Sequence, residues 1–339
     1  MQALDITKDS VEGQALLSTF TSKLVGQQAG AETLINLVAK YRAGLSTPRR
    51  PAGVALFLGP TRSGKTYTVE LLCEALFGDA RACIKIDCAE YQHGHEIAKL
   101  VGSPPGYLGH RETHPLFTQQ NLNVWHTDKL KLSVILFDEI EKASDTLWNL
   151  LLGILDKAEC TTGTNERVDF SQTLIIMASN VGAKELAELA GNRIGFAADN
   201  AVIESEIANT AINAAKRKFS PEFFNRLDNI VVYRSLSEAD IRKIMYIELG
   251  KVQQRFLRGN EGILFSLDEA AREKLLSCTK DNKAYNVGPL LREIEKMLVT
   301  PLAKLIASGQ LKDRDIVRVK YEGGDTFKFY KTTATGAGK

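Results

Sequence analysis

Five short apolar runs punctuate the chain up to its 233rd residue: Val54–Leu58, Ile84–Ile86, Val134–Phe137, Leu174–Ala178 and Ile230–Tyr233. A different rhythm fills the intervals. In Thr66–Phe77, residues Val69, Leu72, Cys73 and Leu76 recur at the i, i+3, i+4, i+7 spacing of one helical face. In Ser144–Lys157, residues Leu147, Leu150, Leu151, Ile154 and Leu155 do the same. Strands that are apolar along their whole length and alternate with helices predict an α/β fold: a parallel five-stranded sheet with helices on both faces.

After Tyr233 the pattern changes. "SLSEADIRKIMYIELGKVQQRFL" predicts a helix with Ser237 as N-cap and acidic residues in its first turn. A strand is expected at 263–267, helices near 268–278 and 288–308, and β structure near 315–330. The predicted organisation is a lead-in helix at 1–23, a large domain at 24–236, a smaller α/β domain at 237–332 and a loose tail at 333–339.

Composition narrows the class. The chain has 339 residues, 44% hydrophobic and 25% charged, as expected of a globular protein. Its 43 basic and 41 acidic residues nearly cancel, which gives no electrostatic footprint for nucleic acid. No apolar run approaches the roughly 18 residues that span a bilayer, so no membrane partner is expected. The five cysteines form no C-x-x-C pair, and reduced thiols in a cytoplasmic protein are expected.

Chemistry enters at two of the predicted strand ends. Gly59-Pro60-Thr61-Arg62-Ser63-Gly64-Lys65-Thr66 fits G-x-x-x-x-G-K-[ST], with a strand before it and a helix after it. Glycines let the backbone wrap an anion, and the helix N-terminus offers unpaired N–H groups and partial positive charge. Lys65 can reach the β and γ phosphates, and Thr66 can place its hydroxyl on Mg²⁺. In "SVILFDEIEKA", an apolar strand ends on Asp138 and Glu139. Asp138 is expected to hold the Mg²⁺ through water and Glu139 to polarise the attacking water. Together the two segments predict a Mg·ATP or Mg·GTP site at the sheet edge.

"LVGQQAGAETLINLVAKYRAGLSTPRRPAGVALFL" and "VILFDEIEKASDTLWNLLLGILD" resemble the AAA+ module of the Clp/ClpB unfoldases, above all the second of their two ATPase rings. The resemblance runs from about Leu24 to Gly309. It implies ATP as the nucleotide and the smaller domain as a C-terminal lid. It implies that Asn180, in "IIMASN", is the polar residue that orients the lytic water. Arg226, in "FSPEFFNRLDNIVVY", corresponds to the arginine finger that reaches a neighbouring subunit's nucleotide, which implies a homohexameric ring. Val25, with Gly26 and Gln27, corresponds to the segment against the adenine. "GSPPGYLGH" corresponds to the axial pore loop, with Tyr107 as the gripping aromatic between Gly106 and Leu108. Apart from any family, an aromatic among glycines on an exposed loop can hold unfolded or tagged polypeptide without reading its sequence. Ile194-Gly195-Phe196 match in type and position the tripeptide with which protease-linked relatives dock a ClpP-like peptidase.

The sequence also departs from the family pattern. Where the family places an arginine opposite the γ-phosphate, "YNVGPL" has Gly288, and Arg292 one turn on is the candidate substitute. The segment 111–133 is longer than its counterpart and carries His114, Trp125 and His126, with no ligand set that implies a metal. The family's N-terminal domain and first ATPase ring have no counterpart, so a one-ring machine is expected unless the chain is a piece of a longer one. The expected function is an ATP-driven protein unfoldase that threads polypeptide through a central pore. The alternatives are an ATP-dependent assembly scaffold with weak turnover, which the missing arginine favours, and a nucleic-acid motor, which the neutral charge and aromatic loop disfavour.

Overall fold

The structure of the chain, a computed structural model, describes all residues except 1–9, 105–113, 184, 187–199, 260–261, 281–286, 313 and 333–339. The chain divides into two compact units. One comprises residues 1–60 and 64–234; the other comprises 235–339, with which 61–63 group.

In the first unit the order is α1 (Val11–Lys23), α2 (Gln28–Arg42), β1 (Gly53–Leu58), α3 (Lys65–Phe77), β2 (Ile84–Asp87), α4 (Ala98–Val101), α5 (Gln119–Asn123), β3 (Ser133–Asp138), α6 (Asp145–Lys157), β4 (Glu159–Thr161), β5 (Arg167–Asp169), β6 (Thr173–Ser179), α7 (Asn200–Lys218), α8 (Pro221–Phe224) and β7 (Asn229–Val232). The sheet has five parallel strands in the order β2-β3-β6-β1-β7. Each apolar run is one of its strands. The three central strands are buried almost throughout, as a sheet covered on both faces requires.

Alternation along each strand feeds two cores. Leu56, Leu58, Ile135, Phe137, Ile175 and Met177 point to one face, where they meet Leu147, Leu151 and Ile154 of α6 and Ala211 and Ala215 of α7. Ala55, Phe57, Val134, Leu136, Leu174 and Ile176 point to the other, against Leu16 and Phe20 of α1, Leu34 and Val38 of α2, and Val69 and Leu72 of α3. The described part of the lead-in segment is therefore a packed helix, Val11–Lys23, with two core side chains, Leu16 and Phe20. A two-stranded antiparallel ribbon, β4 with β5, was not expected. In the longer segment His126 Nε2 lies 2.9 Å from the Ser133 hydroxyl. Among the described residues no group of three or more His, Cys, Asp or Glu could hold a metal.

The second unit holds α9 (Glu238–Gly259), β8 (Leu264–Leu267), α10 (Glu269–Lys280), α11 (Gly288–Ile294), α12 (Thr300–Ala307), β9 (Ile316–Lys320) and β10 (Lys328–Thr332). Its sheet runs β10-β9-β8, with β8 parallel and β10 antiparallel to β9. Met245, Leu275, Leu298, Leu302, Val317 and Val319 form its core. Between α11 and α12, Glu295–Val299 is π-helical, and the Thr300 N–H donates to Glu295 O, five residues back. Pro301 follows directly; it has no N–H and its ring crowds the preceding turn, so the helix widens there rather than breaking.

Candidate active site

β1, β3 and β6 all run in the same direction, so their C-terminal ends lie on one edge of the sheet. β1 ends in the loop 59–66, β3 in Asp138 and β6 at Ser179, with Asn180 next. β6 lies between the other two, which brings Asn180 between the loop and the carboxylates. This is the edge where open α/β sheets bind their ligands.

Two glycines shape the loop for different reasons. A Cβ at Gly59 would lie 2.5 Å from the backbone oxygen of Tyr233. Gly64 has φ of 102° and caps α3, a conformation that side chains resist. α3 then begins with Lys65, which is buried although it carries a cation. Its ammonium donates to Gly59 O at 2.7 Å, Pro60 O at 2.8 Å and Asn180 Oδ1 at 2.9 Å, which uses all three of its hydrogens. Thr66 donates its hydroxyl to Asp138 Oδ2 at 2.9 Å, and Lys85 Nζ lies 3.8 Å from the same oxygen.

Glu139 follows Asp138 in a left-handed conformation, φ 53°, unusual for a side chain of its size. Its Oε1 lies 3.5 Å from Asn180 Nδ2, and its Oε2 accepts from Lys142 Nζ at 2.6 Å. Asn180 thus touches both the lysine and the glutamate. Lys65, Thr66, Asp138, Glu139 and Asn180 form one connected network.

Arg226 lies elsewhere. It follows α8, which Ser220 caps and an aromatic cluster anchors: Trp148 and Phe223 rings meet edge-on at 5.0 Å, and Phe219 lies 5.4 Å from Phe223. Its guanidinium pairs with Glu222 at 2.9 Å and lies 3.6 Å from Asp156, and none of its contacts is with the loop or the carboxylates. Arg226 Nε is buried with no hydrogen-bond partner.

Near Gly26 and Gln27 a cavity of about 510 Å³ opens, lined also by Leu17, Phe20, Leu24 and Arg234. Gln27 is held by a 2.8 Å bond from its Nε2 to Arg234 O. Val25 is not among the lining residues, whereas its two successors are. Gly106, Tyr107 and Leu108, and Ile194, Gly195 and Phe196, lie outside the described residues.

Sequence reasoning passed over Glu141. It sits on the short 3-10 turn Ile140–Lys142; its Oε1 accepts the Asn180 backbone N–H at 3.2 Å, and its Oε2 is buried without a partner. The only available signal was its place two residues beyond Glu139.

Burial lowers the Lys65 ammonium from its usual 10.5 to about 8, although Asp138, Glu141 and Glu139 each pull it back up. Lys65 therefore carries its charge below pH 8 and loses it above. A phosphate that needs that charge should bind about tenfold more weakly at pH 9 than at pH 7. Titration with a fluorescent nucleoside triphosphate at the two pH values measures this. An affinity that stays constant across the window would show that Lys65 does not pair with the phosphate.

Comparison with known proteins gives concordant results. Residues 50–230 match the family model described as AAA domain (Cdc48 subfamily). Residues 236–319 match the one described as the C-terminal, D2-small domain of ClpB protein. The chain is 36% identical over 333 residues to the ATP-dependent Clp protease ATP-binding subunit ClpC of Staphylococcus saprophyticus, covering 96% of this chain and 39% of that one. For the Staphylococcus aureus counterpart the figures are 35%, 96% and 39%. A closed-state cryo-EM reconstruction of Hsp104 with ATPγS and FITC casein superimposes with a TM-score of 0.77 at 29% identity, covering 95% of this chain and 52% of that one. The S. cerevisiae Hsp104–ADP complex gives 0.76 at 30% identity, with 94% and 52% coverage. The chain thus spans about two fifths of the length of the curated relatives it matches.

Proposed function

The chain belongs to the AAA+ ATPases, in their Clp/ClpB branch, and from that premise we propose that it hydrolyses ATP in a ring of six copies and uses the cycle to unfold polypeptide. The observation that carries this reading is the network at the sheet edge, where Asn180 joins Lys65 to Glu139 and Thr66 meets Asp138.

In this reading the Lys65 ammonium leaves Gly59 O and Pro60 O and pairs with the phosphates. Thr66 and Asp138 present a hydroxyl and a carboxylate side by side, the hard oxygen donors that Mg²⁺ takes while keeping most of its water. The ion supplies charge neutralisation on the phosphate oxygens. Glu139 receives a proton from the water that attacks the γ-phosphorus, the bond to the β-γ bridging oxygen breaks, and ADP leaves. Asn180 orients that water. The cavity beside Gly26 and Gln27 takes the adenine.

Arg226 completes the site of a neighbouring copy, which is why its own chain leaves it apart from the loop. Tyr107, with Gly106 and Leu108, grips the substrate in the pore. Ile194-Gly195-Phe196 dock a ClpP-like peptidase, a role supported by the resemblance to ClpC. The free thiols of Cys73, Cys83, Cys88, Cys160 and Cys278 fit the reducing cytoplasm. Among the described residues no helix is long and apolar enough to cross a membrane.

The test is ATP-dependent unfolding of a tagged fluorescent reporter by the wild type and by Tyr107→Ala. The variant is expected to keep its ATPase and lose unfolding by about tenfold or more, the effect of losing an aromatic contact with the substrate. Equal unfolding by both proteins would remove the pulling role.

A further inference from the structure

Arg226 is held to its own chain in two ways that differ in kind. Its guanidinium pairs with Glu222 and Asp156, whose side chains are more than half exposed. Pairs of that sort are weak in water and separate readily. Its backbone carbonyl has another partner: Arg50 Nη2 donates to Arg226 O at 2.7 Å. Among the described residues no backbone N–H donates to that oxygen, and no carboxylate pairs with Arg50. The planar fork of a guanidinium is shaped for a carboxylate or a phosphate; here it is spent on a carbonyl.

The backbone beyond Arg226 is tied down next to that bond. Asp228 Oδ2 accepts the Val54 N–H at 2.8 Å, and the Asp228 N–H donates to Val54 O at 3.0 Å. β1 and β7 then pair in parallel from Ala55 and Asn229 onward. Arg50 and Arg226 each stand three residues ahead of one of these two strands, at the end of the sheet opposite the loop 59–66. A strand of the length of β1 spans about 17–20 Å, so neither arginine stands beside its own phosphate loop. All of these residues belong to the first compact unit.

We propose that Arg50 is a positioning residue for Arg226: it fixes the backbone of the finger while the guanidinium exchanges Glu222 and Asp156 for the terminal phosphate of a neighbouring copy's ATP. The two holds divide the task. The acidic pair occupies the nitrogens that the phosphate needs, so it has to let go. The bond to the carbonyl occupies none of them, so it persists while the side chain moves. Without it the turn that carries Arg226 loses one of the bonds that fix it, and a misplacement of about 1 Å costs on the order of a hundredfold in rate. This rests on the reading that Arg226 serves a neighbouring copy.

The experiment measures ATPase turnover by assembled rings, and fluorescent-ATP affinity of the single chain, for Arg50→Ala alone and in equal mixtures with other variants. If Arg50→Ala lowers the melting temperature, Arg50→Met, which keeps the aliphatic stem, is measured in its place. Turnover is expected to fall about ten- to hundredfold with ATP affinity unchanged. Mixed with Glu139→Gln, whose finger is intact, Arg50→Ala should recover roughly a quarter of wild-type turnover, because about a quarter of the interfaces then join an intact site to an intact finger. Mixed with Arg226→Ala it should gain nothing, because neither chain presents a well-placed finger. Recovery with Arg226→Ala, or none with Glu139→Gln, would show that Arg50 supports the nucleotide site of its own chain and would overturn the proposal; so would wild-type turnover by Arg50→Ala. If Arg226→Ala itself turns over as the wild type does, or its mixture with Glu139→Gln stays inactive, the finger reading fails and the role of Arg50 with it.

Discussion

Glu139→Gln is expected to lower ATP turnover by about two to three orders of magnitude while ATP stays bound. Glu139 stands just past the end of β3 with its carboxylate between Asn180 Nδ2 and Lys142 Nζ. Glutamine has the same length and can still accept from Asn180 through its carbonyl oxygen. It cannot take a proton from water. The exposed pairing with Lys142 is lost, and such pairs contribute little to a fold. Lys65, Thr66 and Asp138 keep their contacts, so the phosphate cradle survives. Steady-state phosphate release and fluorescent-nucleotide titration, run in parallel, separate the two effects. Turnover within tenfold of wild type would mean that another group activates the water.

Arg226→Ala should be at least as damaging to turnover, by about 10³-fold, and for a different reason. In the single chain the guanidinium faces Glu222 and Asp156, and its Nε is buried with nothing to donate to. A buried donor left unpaired costs about 1–3 kcal/mol, and α8 with its aromatic neighbours nonetheless holds it in place. That arrangement suits a residue whose partner arrives from another copy. The variant should therefore bind ATP as a single chain with wild-type affinity and fail only in hydrolysis by the assembled ring. Weakened ATP binding by the isolated chain would place Arg226 in its own site instead. A melting curve unchanged from wild type confirms that the loss is not one of folding.

Much of this was legible because it is local. A strand buried on both faces has to be apolar along its length, and the five runs announced themselves for that reason. The loop 59–66 is eight consecutive residues, so its motif is local even though Gly59 packs against Tyr233 and Lys65 reaches Asn180. Order in the sheet was not legible: β6 enters between β3 and β1 because of side-chain packing between segments far apart in sequence. β4 and β5 escaped because each has three residues, with only Cys160 and Val168 buried. The π-helical turn before Pro301 is a compromise that periodicity alone does not encode. In the site, Glu141 was invisible because its role depends on where the Asn180 backbone falls. The sequence proposed that Arg226 acts between copies; the structure adds the contacts that hold it in its own.

The most direct measurement of the central claim, that ATP is cleaved at a site two copies share, is to mix the two inactive variants. A chain with Arg226→Ala retains Glu139, and a chain with Glu139→Gln retains Arg226. If the finger acts on a neighbour, random co-assembly rebuilds intact sites at about a quarter of the interfaces, and ATPase activity should return to roughly that fraction of wild type. A mixture no more active than the sum of its separate components would contradict the account.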